Sequence, residues 1–91
     1  MTVRDAPERS RYEIELDGEV VGFADYRIFG EVVLMPHVEV RLDLRGGQIG
    51  SELVKAALDD VRARGLAVRP LCPFVVSYVR RHPEYADLVA A

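Results

Sequence analysis

Four groups of side chains in this sequence have types and spacing suited to chemistry. The stretch Arg45-Gly46-Gly47-Gln48-Ile49-Gly50-Ser51 puts three glycines ahead of an amphipathic segment. Glycine lets the backbone turn and come close to a ligand. Free amides opening a helix converge on one point, where the helix dipole favours an anion. A diphosphate is the natural guest; the plain alternative is a tight connection. Cys72, the sole cysteine, precedes Pro73. A thiol at a helix N-terminus has a lowered pKa and can accept an acyl group. A free cysteine also packs as a small buried hydrophobe. His37 and Glu39 are two residues apart and share a strand face. Histidine accepts protons near neutral pH, with Glu39 orienting it or polarising a water; a solvated pair is the alternative. Tyr78 is the fourth group, on the helix after Cys72, where core packing is the competing reading. His37, Glu39, Cys72 and His82 lack the paired local spacing of a metal set, so no metal is expected.

The elements that must position these groups follow from periodicity. Residues 1–10 show none and read as a loose, flexible leader, with a single domain over 11–91. Tyr12 to Leu16 alternates with the period of two of a half-buried strand, and Asp17-Gly18 is a strong two-residue hairpin signal. Val20 to Ile28 continues as a second strand. Gly30 separates it from Val32–Met35, which Pro36 interrupts as an edge or bulge before His37–Val40 resumes. After Arg45 the period changes. Ile49, Leu53, Ala57 and Val61 recur at i+4, predicting a helix over 49–64 that Gly65 closes. Leu66–Pro70 is a short strand, and a helical crossover makes it a parallel neighbour of Val38–Val40. Pro73 opens a second helix that ends at His82-Pro83, and Tyr85 to Val89 forms a final turn or short helix.

Composition bounds the function. The 91 residues allow one domain, and 49% hydrophobic with 30% charged residues describes a globular chain. Twelve Lys+Arg against fifteen Asp+Glu give a net charge of −3, which argues against a nucleic-acid partner. No apolar run is long enough to cross a bilayer, so no membrane partner is expected. The polar start carries no secretory signal, and one cysteine fits a reducing, cytoplasmic setting. A domain this small has modest stability unless a partner chain assists, as a monomer or homodimer.

The order of these segments resembles the GNAT superfamily of acetyl-CoA-dependent N-acetyltransferases, in particular its smallest members. The carrying segments are His37–Val40, Gly46–Ser51, Leu71-Cys72-Pro73-Phe74-Val75 and Tyr78 to Tyr85. The resemblance implies an α+β (α/β-like) fold: antiparallel N-terminal strands, a mixed sheet with a splayed parallel strand pair, and two main helices. It implies acetyl-CoA as substrate, its pyrophosphate on the amides of the glycine loop and its pantetheine beside the Val38 and Val40 strand. Arg45 and Gly50 match the family's loop pattern, whereas Gln48 stands where that pattern has glycine. Either Gln48 turns outward or CoA affinity falls. The resemblance also makes Cys72 a candidate nucleophile, His37 a base, and Tyr78 the donor of a proton to the leaving thiolate. Arg81 and His82 are placed to meet the adenosine phosphate. The implied function is acetyl transfer to a primary amine, on a protein or a small molecule. The alternatives are an acyl-CoA-binding module without turnover and a small interaction domain.

Overall fold

A computed structural model describes residues 1–90. Five strands form one sheet in chain order: β1 (Thr2–Ala6), β2 (Arg11–Leu16), β3 (Glu19–Phe29), β4 (Val32–Val40) and β5 (Ala67–Pro70). Pairing is antiparallel from β1 to β4 and parallel between β4 and β5. Helix α1 (Ile49–Ala63) makes the crossover, and α2 (Pro73–Arg81) follows β5. A 3-10 stretch over Pro83–Leu88 closes the chain on the sheet, where Ala90 N–H donates to the Val68 carbonyl at 2.8 Å.

The β2–β3 turn has the form the sequence predicts. Asp17 and Gly18 both take positive φ, 53° and 78°, which matches the twist of a tight hairpin. The apolar stripe of α1 faces the sheet, and Leu53, Val54, Leu58 and Val61 are fully buried against Ile14, Met35 and Val68. Each such side chain contributes about 1.5–3 kcal/mol. Val75 and Val79 of α2 join the same cluster, so both long helices cover one face of the sheet. The opposite face carries no long helix.

Residues 1–10 are not a loose leader. Val3 pairs with Ile14 and Ala6 with Arg11 along the whole of β1, and Ala6 is fully buried. Charge, not hydrophobic alternation, ties this edge strand down. The Glu13 carboxylate, fully buried, accepts from Arg4 at 3.0 Å, Arg9 at 2.9 Å and Arg11 at 2.8 Å. Burial alone would raise the Glu13 pKa, but the hydrogen bonds from Arg9 and Arg11 outweigh it and hold the carboxyl below its ordinary value. On the helix-bearing side, Arg64 of the α1 C-terminus pairs with Asp5 of β1.

The parallel pair also differs in register from the expectation. Ala67–Pro70 pairs with Val32–Met35, and not with Val38–Val40. Pro36 sits at a bulge: between the Asp25–His37 and Arg27–Leu34 pairs, β4 has two residues where β3 has one. The amides of Leu71 and Cys72 both donate to the Met35 carbonyl at 3.1 Å. There the chain turns into α2, while β4 runs on to Val40 with no strand beside it. The two strands therefore part at Met35.

Candidate active site

The bulge at Pro36 decides which β4 side chains face which way. Val33, Met35, Val38 and Val40 point towards the helices, and His37 and Glu39 point to the opposite face. On the helix side, the parting of the strands leaves a cleft of about 410 Å3. Val38 and Val40 form one wall, Gly46, Gly47 and Gly50 another, and Phe74 and Arg81 of α2 a third.

The loop leading into α1 is built for close approach. Gly46 takes φ of +84°, a conformation that L side chains rarely adopt. Gly50 lies against α2: a Cβ there would sit 2.9 Å from Cζ of Phe74. The first backbone bond of α1 is Glu52 N–H to the Gln48 carbonyl, 2.9 Å, and no side chain caps the helix. Among the described residues, no backbone carbonyl accepts from the amides of residues 46–51. These free donors lie at the positive end of a 15-residue helix.

The cleft is basic inside an acidic protein. Six of the eleven arginines pair with carboxylates. Arg45 and Arg81 have no such partner among the described residues. Arg45 Nε donates to the Val40 carbonyl at 3.1 Å, which holds the loop against the end of β4. Cleft, amides and two guanidiniums with no carboxylate partner among the described residues together suit a phosphorylated ligand with an extended, partly apolar arm.

The residues singled out from the sequence divide in three. Val38, Val40, Arg45, Gly46, Gly47, Gly50 and Ser51 line the cleft. Gln48 is exposed and does not line it, and the Ile49 side chain belongs to the core, so only backbone is available there. The Gln48 side chain thus turns outward. Cys72 is the N-cap of α2, 7% exposed, and packs in the hydrophobic core at the point where the strands part. Tyr78 is 3% exposed and stacks on the His82 ring, with centroids 3.9 Å apart. Burial raises its pKa, opposed in part by Lys55 on α1. Tyr78 therefore packs against His82 and Tyr85 and does not line the cleft. His82 Nδ1 lies 2.9 Å from the Tyr78 carbonyl and ends the helix. His37 and Glu39 are half-exposed, 3.4 Å apart between Nε2 and Oε1, on the face of β4 behind the cleft. No three His, Cys, Asp or Glu side chains converge as a metal site among the described residues.

Leu44 and Phe74 are cleft residues that the sequence reading missed. Phe74 and Arg81 share one face of α2 at a spacing of seven, a signal that periodicity shows once α2 is placed.

The comparisons with known proteins agree with this architecture. A family model described as GCN5-related N-acetyl-transferase matches residues 11–88. A GCN5-like protein from Staphylococcus aureus superposes with a TM-score of 0.71 at 17% identity, covering 99% of this chain and 88% of that one. The ribosomal-protein-S18-alanine N-acetyltransferase of Escherichia coli gives 0.68 at 14%, covering 78% of this chain. This chain spans only 49% of that enzyme's length. An aminoglycoside N-acetyltransferase in complex with CoA gives 0.56 at 17%, over 82% of this chain and 64% of that one. No curated protein matches the sequence. At these identities the structural likeness establishes the fold, and the family model does the rest: the chain belongs to the GCN5-related N-acetyltransferase family.

Proposed function

We propose that this chain binds acetyl-CoA in the cleft and transfers the acetyl group to a primary amine. The observation that carries this reading is the parting of β4 and β5 at Met35, which opens a gap between the loop amides and the far face of the sheet. The backbone of residues 46–51 holds the diphosphate, with Arg45 and Arg81 supplying charge. Val38 and Val40 flank the pantetheine arm. Membership of an acetyltransferase family supports the ligand, and a structural relative was solved with CoA. The relatives named for ribosomal-protein alanine and for aminoglycosides both modify amines, which supports the acceptor class.

Transfer is direct in this reading. The amine nitrogen attacks the thioester carbonyl carbon, the new C–N bond forms, the C–S bond breaks, and CoA leaves as thiolate. His37, on the open face of the strand that flanks the gap, takes the proton from the amine, with Glu39 orienting the ring. The packed Tyr78 and the core position of Cys72 favour structural roles for both. Such a domain works in the cytoplasm, where acetyl-CoA and a reduced thiol are both available.

Calorimetry with acetyl-CoA tests binding, and absence of saturable binding at millimolar ligand overturns the reading. Intact mass under single-turnover conditions separates the two chemistries. Unmodified protein is the expected result, and one acetyl adduct that Cys72→Ala abolishes would replace direct transfer with a covalent route.

A further inference from the structure

His37 needs more support than its carboxylate neighbour supplies. Its side chain is 53% exposed, and its one polar contact among the described residues is to Glu39, 3.4 Å away and equally open to water. An exposed pair at that distance is weak and does not fix the plane of an imidazole ring. A base that takes a proton from one direction works best with its ring held. The second support is aromatic. The Phe23 ring of β3 stands 6.0 Å from the His37 ring, centroid to centroid, at an interplanar angle of 55°. That separation and tilt are those of a favourable ring pair.

Register explains the contact. Phe23 is paired with Glu39 and Asp25 with His37, so Phe23 and His37 are diagonal neighbours on one face of an antiparallel pair. A diagonal separation is too long for small side chains and within reach of two rings. The row that holds Phe23 continues across the sheet: Glu13 of β2 lies opposite Phe23, and Arg4 of β1 lies opposite Glu13. Arg11 sits over the Phe23 ring, 4.4 Å from its centroid, and is tied at 2.8 Å to the buried Glu13 carboxylate. A guanidinium stacks on a ring through its planar face, which an ammonium lacks. Phe23 is thus backed by Arg11 and in turn braces His37.

We infer that Phe23 is a positioning residue for His37: its ring holds the imidazole in the orientation from which it takes the amine proton, and Arg11 fixes that ring from β2. The inference rests on the acetyltransferase reading for its purpose. The proton passes from the amine nitrogen to the imidazole, and Phe23 takes part in no bond that forms or breaks. The charge cluster that pins β1 to the sheet therefore reaches the candidate base through one guanidinium and one ring.

Two measurements on the full chain test it. By NMR, the wild-type protein should show nuclear Overhauser contacts between the Phe23 and His37 rings. Phe23→Tyr should keep them, and in Phe23→Leu the His37 ring signals should lose their ring-current shift. Turnover is read as CoA release at saturating acetyl-CoA with excess ethylamine, a nucleophile small enough to need no acceptor pocket. Phe23→Leu should lower that rate about tenfold, a part of the hundredfold or more that a positioned base contributes, with the KM for acetyl-CoA unchanged. Phe23→Tyr should restore it. Arg11→Lys, which keeps a cation beside Glu13 and loses the planar stack, should give a smaller loss in the same direction. Absence of the ring contacts in the wild type overturns the positioning role, and needs no variant to fold. An unchanged rate in Phe23→Leu, or a raised KM at unchanged turnover, overturns it as well. A wild-type protein that binds acetyl-CoA yet releases CoA no faster with ethylamine than without it overturns the acetyltransferase reading instead, whatever the ring contacts show.

Discussion

Replacing Glu13 with Gln should detach the N-terminal edge strand from the sheet. The wild-type carboxylate is fully buried and accepts from three guanidiniums at 2.8–3.0 Å. Removing one partner of a buried charge cluster costs about 3–5 kcal/mol. Two features lower that figure. The arginine side chains are 26–52% exposed and regain water, and glutamine retains one acceptor oxygen. The expected loss is ~2–3 kcal/mol, against a total of about 5–14 kcal/mol for a domain of this size. Urea denaturation measures it directly, and the melting temperature should fall by roughly 10–20 °C. The pH dependence gives a second readout. The folded Glu13 pKa lies below its ordinary value of 4.5. Its stabilisation is therefore complete above about pH 4.5 and disappears as the pH falls through the lower, folded value. Glu13→Gln should lack that component of acid sensitivity. A loss under about 0.5 kcal/mol, with the acid slope unchanged, would refute the assignment and reduce the cluster to screened surface pairs.

Three further changes probe the helix face. Gln48→Gly should leave acetyl-CoA affinity within about twofold by calorimetry, because the side chain already points away from the cleft. Gly50→Ala pushes the Phe74 ring off its 2.9 Å approach. The rotamer cost of about 1 kcal/mol is offset by a gain in helix propensity of similar size, so the melting temperature should barely move while acetyl-CoA affinity falls. Tyr12→Phe removes the 2.6 Å bond from the Tyr12 hydroxyl to Asp60 on α1. Asp60 keeps Arg64 at 3.0 Å and some solvent, so the loss should be ~1 kcal/mol, read by thermal melting.

Where a sequence signal is local, it was readable. Asp17-Gly18 specifies its own turn, and the four-residue spacing from Ile49 to Val61 specifies its own buried stripe. The glycine loop announced a close approach, and most of its residues line the cleft. What escaped depends on partners distant in the chain. Thr2–Ala6 has little apolar alternation, and its place is set by Glu13, nine residues beyond Arg4, and by Arg64, 59 residues beyond Asp5. β5 lies beside Val32–Met35, the half of β4 before the Pro36 bulge, and neither that choice nor the bulge is visible without the paired strands. The same bulge sends His37 and Glu39 to the face opposite Val33 and Met35, a separation that odd-numbered spacing alone does not show. The part Phe74 plays in the cleft is not visible in the sequence because Gly50, its neighbour, lies on another helix.

That the spatial order of the strands equals their order along the chain has a kinetic consequence. Each antiparallel partner is reached through a short connection, so the meander assembles from nearby contacts at small entropic cost. Only the last pairing spans a long stretch of sequence, the 26 positions between Val40 and Ala67 that include α1. Docking of β5 and α2 is then the late event of folding, and the pocket they complete is the last part of the molecule to exist. Coenzyme added during refolding should consequently slow unfolding far more than it speeds folding.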